Sequence, residues 1–157
     1  MKHLIMMGVA GCGKTTVGAA LSERVNRPFF DGDDFHPRSN IEKMSAGTPL
    51  TDEDRMPWLS ALVEVMKANP GGAIVSCSAL KKIYRDFLRQ QPVHFIFLDI
   101  AEESVMDRIR LREHFFPLSL IKDQFLNLEV PDESEATRVD GCLAVDVICD
   151  QLAPIVV

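Results

Sequence analysis

Several features that mark other protein classes are missing from this 157-residue chain. No apolar run approaches the roughly 20 residues that a membrane-spanning helix needs, and the first residues lack the apolar stretch and cleavage site of a secretion signal. No basic run occurs either, and 17 Lys and Arg against 23 Asp and Glu give a net charge of −6. We therefore expect a cytoplasmic protein that binds neither membranes nor nucleic acid.

Paired cysteines are also missing. The four cysteines lie far apart at Cys12, Cys77, Cys142 and Cys149, without the close spacing of a zinc site. Each stands in an apolar or loop context that suits a small buried residue better than a disulfide. We expect neither a disulfide framework nor structural zinc.

Short apolar runs alternate with helical patterns along the chain. The runs cover residues 3–7, 28–30, 73–77, 94–98 and 143–145. The helical patterns cover residues 15–25, 52–68, 79–89 and 102–111. This alternation predicts a three-layer α/β sandwich with a mostly parallel five-stranded sheet. No repeat or linker divides the chain, so we expect one domain over residues 1–157, with 130–141 as an acidic loop.

Residues 8–15 read Gly-Val-Ala-Gly-Cys-Gly-Lys-Thr and match G-x-x-x-x-G-K-[ST] between a predicted strand and a predicted helix. Backbone N–H groups of such a loop surround nucleotide phosphates, Lys14 reaches the β and γ phosphates, and Thr15 ligates Mg²⁺. The motif predicts ATP and Mg²⁺ as cofactors and a P-loop nucleoside triphosphate hydrolase fold. The predicted nucleotide-binding residues are Gly8, Val9, Ala10, Gly11, Cys12, Gly13, Lys14, Thr15 and Thr16.

The phosphate loop does not by itself identify the reaction, because motors, GTPases and metabolite kinases all use it. The Asn-Lys-x-Asp sequence that reads guanine is missing from the chain, and the chain is short for a motor. These features favour a small kinase similar to nucleotide kinases and shikimate kinase, with a lid that closes over both substrates.

An acidic turn follows the second predicted strand and contains Asp31, Asp33 and Asp34. In a parallel sheet, this turn and the phosphate loop lie at the same edge. Phosphoryl transfer needs a carboxylate that orients the acceptor hydroxyl or takes its proton. Asp-Gly-Asp is also an ordinary turn sequence, but its place after a strand and a phosphate loop favours a catalytic role.

The motifs around this turn closely resemble the gluconokinase family over nearly the whole chain. They read Asp31-Gly-Asp33, His36-Pro37-x-x-Asn40-Ile-x-Lys43-Met44, Gly47-x-Pro49-Leu50-x-Asp52-x-Asp54-Arg55-x-Pro57-Trp58-Leu59 and Cys77-Ser78-Ala79-Leu80-Lys81-x-x-Tyr84-Arg85. The resemblance implies ATP-dependent phosphorylation of D-gluconate to 6-phosphogluconate by a homodimer. By analogy with the paired aspartates of shikimate kinases, it implies Asp33 as base and Asp31 in the Mg²⁺ shell, although the two roles could be exchanged.

An open-chain polyhydroxy acid calls for polar side chains and cations in its site. The candidate substrate-binding residues are Asp33, His36, Asn40, Lys43, Arg55, Trp58, Ser78, Lys81 and Arg85. Two of them have simpler interpretations, because His36 could cap a turn and Trp58 could be a hydrophobic wall or core residue. Lys81 and Arg85 lie near the start of a predicted helix, where the helix dipole disfavours cations unless an anion is near.

Residues 108–128 correspond to the lid of the family. Arg108 and Arg112 would share one helix face and neutralise developing charge, whereas Arg110 would face solvent. The family commonly has a glycine before His-Phe, but this chain has Glu113 before His114, so we expect an altered lid. Asp99 looks like a Walker B aspartate, but the Asp31 region is better placed for the metal. The catalytic candidates are Lys14, Asp31, Asp33, Arg108 and Arg112.

Two other functions are compatible with the sequence. The acceptor could be another sugar acid or a polyol. The Lys and Arg residues of the substrate segment favour an acid, but they do not indicate the length of its carbon chain. The chain could also be a catalytically silent nucleotide-binding regulator, although Lys14, Thr15, Asp31 and Asp33 are all intact.

Overall fold

The structure, a computed structural model, describes residues 1–111 and 117–156. Five parallel strands form one sheet in the order β2-β3-β1-β4-β5. The strands are β1 His3–Met7, β2 Phe29–Asp31, β3 Ile74–Ser76, β4 Val93–Asp99 and β5 Ala136–Asp140. The helices are α1 Lys14–Val25, α2 Arg38–Ser45, α3 Asp52–Lys67, α4 Lys82–Leu88, α5 Glu102–Leu111, α6 Leu118–Asn127 and α7 Val145–Val156, and a 3₁₀ turn spans Gly32–Phe35. The predicted parallel α/β sheet is confirmed.

The sheet is buried at its centre. Strand β1 lies between β3 and β4, and all of its residues are buried. Helices cover both faces of a parallel sheet, so its inner strands are apolar on both sides. This explains the continuous apolar runs in the sequence. None of the helices within residues 1–111 and 117–156 is long and apolar enough to cross a bilayer.

The predicted fifth strand at 143–145 is wrong. The fifth strand is β5, Ala136–Asp140, inside the stretch that we predicted to be a loop, and Val145 instead begins α7. Strand β5 pairs only with β4 and lies at the sheet edge. Its buried residues, Ala136 and Val139, are separated by polar ones, so it lacks the continuous apolar run of an inner strand.

Helix α4 begins at Lys82, three residues after the predicted start at residue 79. Ala79 adopts a left-handed backbone conformation with φ of 46°, which a helix interior does not allow. The residues between β3 and α4 therefore form a loop, and this loop carries Ser78 to the carboxyl edge of the sheet.

The carboxyl ends of the three strands β2, β3 and β1 bring the predicted site residues together. Asp31 at the end of β2 pairs in register with Ser76 at the end of β3, and β1 leads directly into the phosphate loop. The chain turns sharply at Gly32, where an added Cβ would lie 1.9 Å from the Ser76 carbonyl oxygen. Only glycine fits this close approach of two backbones.

Candidate active site

A cavity of about 660 Å³ opens at this edge of the sheet. Its wall combines the phosphate loop with side chains from the 3₁₀ turn, α2, α3, α5 and α6. The predicted site residues that line it are Ala10, Gly11, Gly13, Lys14, Thr15, Thr16, Asp31, Asp33, His36, Arg55, Trp58 and Ser78. The structure therefore brings the phosphate loop and the acidic turn to one cavity.

The phosphate loop has the backbone shape of an anion-binding loop. Gly11 and Gly13 adopt φ values of 79° and 102°, which favour glycine. Lys14 begins α1, and its Nζ donates to the carbonyl oxygens of Gly8 and Val9 at 2.9 Å each. The loop thus places a cation beside the positive end of a helix, a combination that binds phosphate.

Two oxygen ligands face each other beside the loop. The Thr15 hydroxyl donates to Oδ2 of Asp31 at 3.3 Å. Oδ1 of Asp31 accepts from the Ser76 hydroxyl at 3.1 Å and from the backbone N–H of Asp33 at 3.0 Å. In the part of the chain that the structure describes, no three His, Cys, Asp or Glu side chains form a metal cage. A hydroxyl and one carboxylate nevertheless fit Mg²⁺, which in nucleotide sites takes its other ligands from phosphates and water.

Asp33 projects into the cavity from the 3₁₀ turn. Its side chain is 82% exposed, yet the walls of the cavity surround it and reduce its solvation. This desolvation raises its pKa above the usual 3.8, and the negative charges of Asp31 and Asp34 add to the rise while Lys14 opposes it. A carboxylate with a raised pKa accepts a proton more readily.

His36 and Trp58 form one wall of the cavity. Their rings stack with centroids 4.1 Å apart and an interplanar angle of 16°. Trp58 is held in turn by its Nε1, which donates to the Gly32 carbonyl oxygen at 2.7 Å. Burial, together with the positive charge of Arg55, lowers the pKa of His36 to about 4. The wall therefore presents a neutral imidazole at pH 7.

Arg55 supplies a positive charge to the cavity wall near His36. The residue is 7% exposed, and Nη1 donates to the Tyr84 hydroxyl at 3.0 Å. Tyr84 donates to Asp52, which also accepts from Lys81 at 2.9 Å. Among the described residues, no carboxylate lies within 4.0 Å of the Arg55 guanidinium. Its remaining N–H groups can therefore bind an anionic ligand.

Comparison with known proteins identifies the family. The family model described as Shikimate kinase matches residues 10–140. The gluconokinase of Gluconobacter oxydans is 45% identical, with 96% of this chain and 89% of the relative covered. The thermosensitive gluconokinase of Escherichia coli is 48% identical, with 88% and 79% covered. The chain belongs to the gluconokinase family. A crystal structure of a gluconokinase from Sinorhizobium meliloti superposes with a TM-score of 0.88 at 40% identity, covering 99% of this chain and 95% of that one.

In this gluconokinase-family chain, some predicted substrate residues do not line the cavity. Asn40 is buried and contacts His36, whereas Lys43 pairs with Asp54 at 2.8 Å. That pair, with the Thr51 backbone N–H, lowers the pKa of Asp54 to about 2. Lys81 pairs with Asp52. Three predicted residues of the phosphate loop, Gly8, Val9 and Cys12, are buried and do not line the cavity either.

Arg85 lies away from the cavity. It is 1% exposed, and its guanidinium donates to the carbonyl oxygens of Ala79, Leu80 and Glu129 at 2.8 to 3.1 Å. It also forms an ion pair with Glu135 at 2.7 Å. Because α4 begins at Lys82, Arg85 lies in the last turn of the helix, where the dipole favours a cation, and its buried charge is balanced without an anionic ligand.

The arginines predicted in or beside the lid differ in their surroundings. Arg108 donates to the carbonyl oxygens of Gly11, in the phosphate loop, and Gly141, at 3.3 and 2.6 Å. Arg110 is exposed and pairs with Asp107 within α5. Arg112 lies outside the described residues. Asp99 pairs with Arg138 of β5 and is absent from the cavity wall.

Sequence reasoning overlooked several residues of the site. Ser76 fixes Asp31, Tyr84 fixes Arg55, and Gln124 of α6 accepts from the Ala10 backbone N–H at 2.6 Å. The place of Ser76 at the end of a predicted strand was a usable signal, because parallel strand ends share one edge. Nothing in the sequence pattern pointed to the contact of Tyr84.

Proposed function

We propose that this chain catalyses the ATP-dependent phosphorylation of D-gluconate to 6-phospho-D-gluconate. The observation that carries the proposal is the convergence of the phosphate loop, Asp33 and Arg55 on one cavity. The loop fits the phosphate donor, the carboxylate fits an acceptor hydroxyl, and the guanidinium fits a carboxylate. Relatives named gluconokinase at 45% and 48% identity support gluconate as the acceptor.

In the proposed step, the C6 hydroxyl oxygen of gluconate attacks the γ-phosphorus in line. The new O–P bond forms while the bond to the β-phosphate oxygen breaks, and ADP leaves. Asp33 accepts the hydroxyl proton, and Lys14 stabilises the charge on the phosphates. Thr15 and Asp31 would hold Mg²⁺, which when bound neutralises phosphate charge.

On the acceptor side, we assign Arg55 to the gluconate carboxylate. His36, Trp58 and Ser78 line the same cavity and contact the substrate hydroxyls in this proposal. Because Arg55 is buried and its nearest described partner is a tyrosine hydroxyl, the carboxylate of the ligand would be its main counter-charge.

We treat residues 1–157 as one kinase domain with a lid over about 108–128. Arg108 and Arg112 would neutralise charge on the transferring phosphoryl group when the lid closes. The contact between Arg108 and Gly11 and that between Gln124 and Ala10 support the closeness of this segment to the phosphate loop. Closure would also exclude water from the transfer step.

We further propose a cytoplasmic homodimer. Apolar side chains are exposed at Ile83, Leu126 and Val130, with 55%, 86% and 61% of their surface accessible. A second copy could cover such surface. Light scattering should give twice the monomer mass, and a monomer at micromolar concentration would contradict the proposal. Cell fractionation tests the location.

The test of function is an ADP-release assay with a panel of acceptors: gluconate, other aldonic acids, shikimate and nucleoside monophosphates. Gluconate should stimulate ADP release above the ATPase background and yield 6-phosphogluconate. Asp33→Asn should lower kcat by about 10²–10⁴-fold while ATP still binds. Greater stimulation by another acid would reassign the acceptor, and no stimulation by any acceptor would indicate a silent nucleotide-binding protein.

A further inference from the structure

His36, Asn40 and the Asp54 carbonyl group form a line of contacts behind the cavity wall. The side-chain nitrogen of Asn40 lies 2.9 Å from the Asp54 carbonyl oxygen and 3.2 Å from Nδ1 of His36. A carbonyl oxygen only accepts hydrogen bonds, so the group that faces it must be the amide NH₂ of Asn40. The second N–H of that amide then points to Nδ1 of His36.

The tautomer of His36 follows from this contact. Because Nδ1 accepts from Asn40, the proton of the neutral ring is on Nε2. Two charged groups face the ring: Asp33 from the 3₁₀ turn and Arg55 from α3. Burial and the Arg55 charge keep the pKa of His36 low, at about 4, so the ring keeps this form at neutral pH.

The distance between His36 and Asp33 allows one oxygen atom to form a hydrogen bond with each of them. Nε2 lies 4.0 Å from Oδ1 of Asp33, too far for a direct hydrogen bond. An oxygen placed about 2.8 Å from both atoms would subtend an angle of about 90° between them. The stack on Trp58 fixes the plane of the ring and hence the direction of its Nε2–H. The pair therefore presents one donor and one acceptor to the same point in the cavity.

We propose that His36 is a positioning and specificity-determining residue, whose Nε2–H donates to the substrate hydroxyl that becomes phosphorylated while Asp33 accepts the proton of that hydroxyl. This inference rests on the proposed function. A hydroxyl oxygen has two lone pairs. When one of them accepts from His36 and the O–H donates to Asp33, the other is left to point at the phosphorus. A terminal ammonium has no lone pair and is rejected, and a deoxy analogue leaves both protein groups unpaired.

The first test is the tautomer itself, measured without substrate. ¹⁵N NMR of protein labelled at its four histidines should show an Nε2–H neutral ring for His36 at pH 7, with the signal assigned by its loss in His36→Gln. The ring should stay neutral down to about pH 5, since its pKa is about 4. An Nδ1–H tautomer, or a charged ring at pH 7, would overturn the proposal.

The second test compares the binding of gluconate and 6-deoxygluconate by calorimetry. Wild type should prefer gluconate by about tenfold for each hydrogen bond that the deoxy analogue cannot make, one with His36 and one with Asp33. His36→Phe keeps a ring to stack on Trp58 but has no N–H, so its preference should fall by about tenfold, the part that comes from His36, whereas His36→Gln should recover some of that part. If His36→Phe does not fold, His36→Asn serves instead, because its shorter amide does not reach the Nε2 position.

Full retention of the preference in the variant without the ε donor would refute the contact between His36 and the hydroxyl. Failure of gluconate to bind to wild type at all would instead contradict the proposed function, and the NMR result would still decide the tautomer. The two failures are therefore distinguishable.

Discussion

Replacement of Arg85 tests whether this residue serves the fold or the substrate. Arg85→Met leaves the Glu135 carboxylate, 13% exposed, without its buried partner, and it leaves the carbonyl oxygens of Ala79 and Glu129 without donors. The Leu80 carbonyl oxygen keeps its bond from the Glu129 backbone N–H. Removal of one partner from a buried ion pair costs about 3–5 kcal/mol. In a protein of this size each kcal/mol lowers Tm by about 2–4 °C, so we expect a decrease of about 6–20 °C.

Urea unfolding at 25 °C, followed by circular dichroism, measures the loss, and Arg89→Met is the matched control. Arg89 binds the same Glu135 from a position that is 35% exposed, and such pairs contribute about 1 kcal/mol or less. The KM for gluconate of folded Arg85→Met should stay within about twofold of wild type, since Arg85 does not line the cavity. A small change in unfolding free energy together with a large rise in KM would refute this reasoning.

The dependence of this effect on pH has a defined sign. Burial alone would raise the pKa of Glu135, but hydrogen bonds from Arg85 and Arg89 outweigh it and the pKa is lowered from 4.5. A lowered carboxylate pKa gives stability that is present above pH 4.5 and is lost as the pH falls through the folded-state pKa. The difference between wild type and Arg85→Met should therefore shrink below pH 4.5. A constant difference down to pH 3 would assign the loss to the carbonyl groups instead.

Three further predictions concern the cavity. The raised pKa of Asp33 should place the acidic limb of kcat/KM above pH 3.8, with activity falling as Asp33 is protonated, and a limb at or below 3.8 would contradict its role as base. Ser76→Ala removes the hydroxyl that holds the neighbouring carboxylate, so the Mg²⁺ concentration for half-maximal rate should rise by about 3–10-fold. The exposed control Ser60→Ala should leave it unchanged, and equal values for both variants would exclude a positioning role. Gly32→Ala forces a Cβ to within 1.9 Å of a carbonyl oxygen and should lower Tm sharply, by about 10 °C or more. Gly71→Ala meets no atom within 4 Å and should be neutral by calorimetry, and a folded, fully stable Gly32→Ala would show that the turn can shift.

The inner strands of the sheet could be predicted from the sequence because burial on both faces requires a continuous apolar run. Strand β1 is an unbroken apolar run followed by glycines, and the structure places it where that pattern predicts. Strand β5 was missed because an edge strand needs few buried residues: only Ala136 and Val139 of β5 are buried, and Arg138 and Asp140 are exposed. A continuous apolar run indicates a strand that is covered on both faces. An edge strand lacks such a run, so a search for continuous apolar runs assigns it to a loop.

The sequence predicted several residues of the candidate site, but it did not predict which of the candidate side chains point into the cavity. Motifs placed Asp33, His36 and Arg55 in the site, and all three line the cavity. They could not distinguish a cation that faces ligand from one that faces carbonyl groups, as the burial of Arg85 shows. That distinction depends on which way a side chain turns from its helix, and packing between distant segments decides it.

Apart from Ser78, the residues that we propose for the acceptor side of the cavity come from one continuous stretch of chain. Their carboxylates, imidazole, indole and guanidinium all belong to residues 31–58, between the end of β2 and the middle of α3, while the nucleotide loop is a separate segment at 8–15. In the proposed function, the donor and acceptor halves of the reaction are therefore encoded mainly in separate blocks of sequence. If residues 31–58 were exchanged between related kinases, the acceptor specificity should change with this segment. The nucleotide-binding loop would remain unchanged.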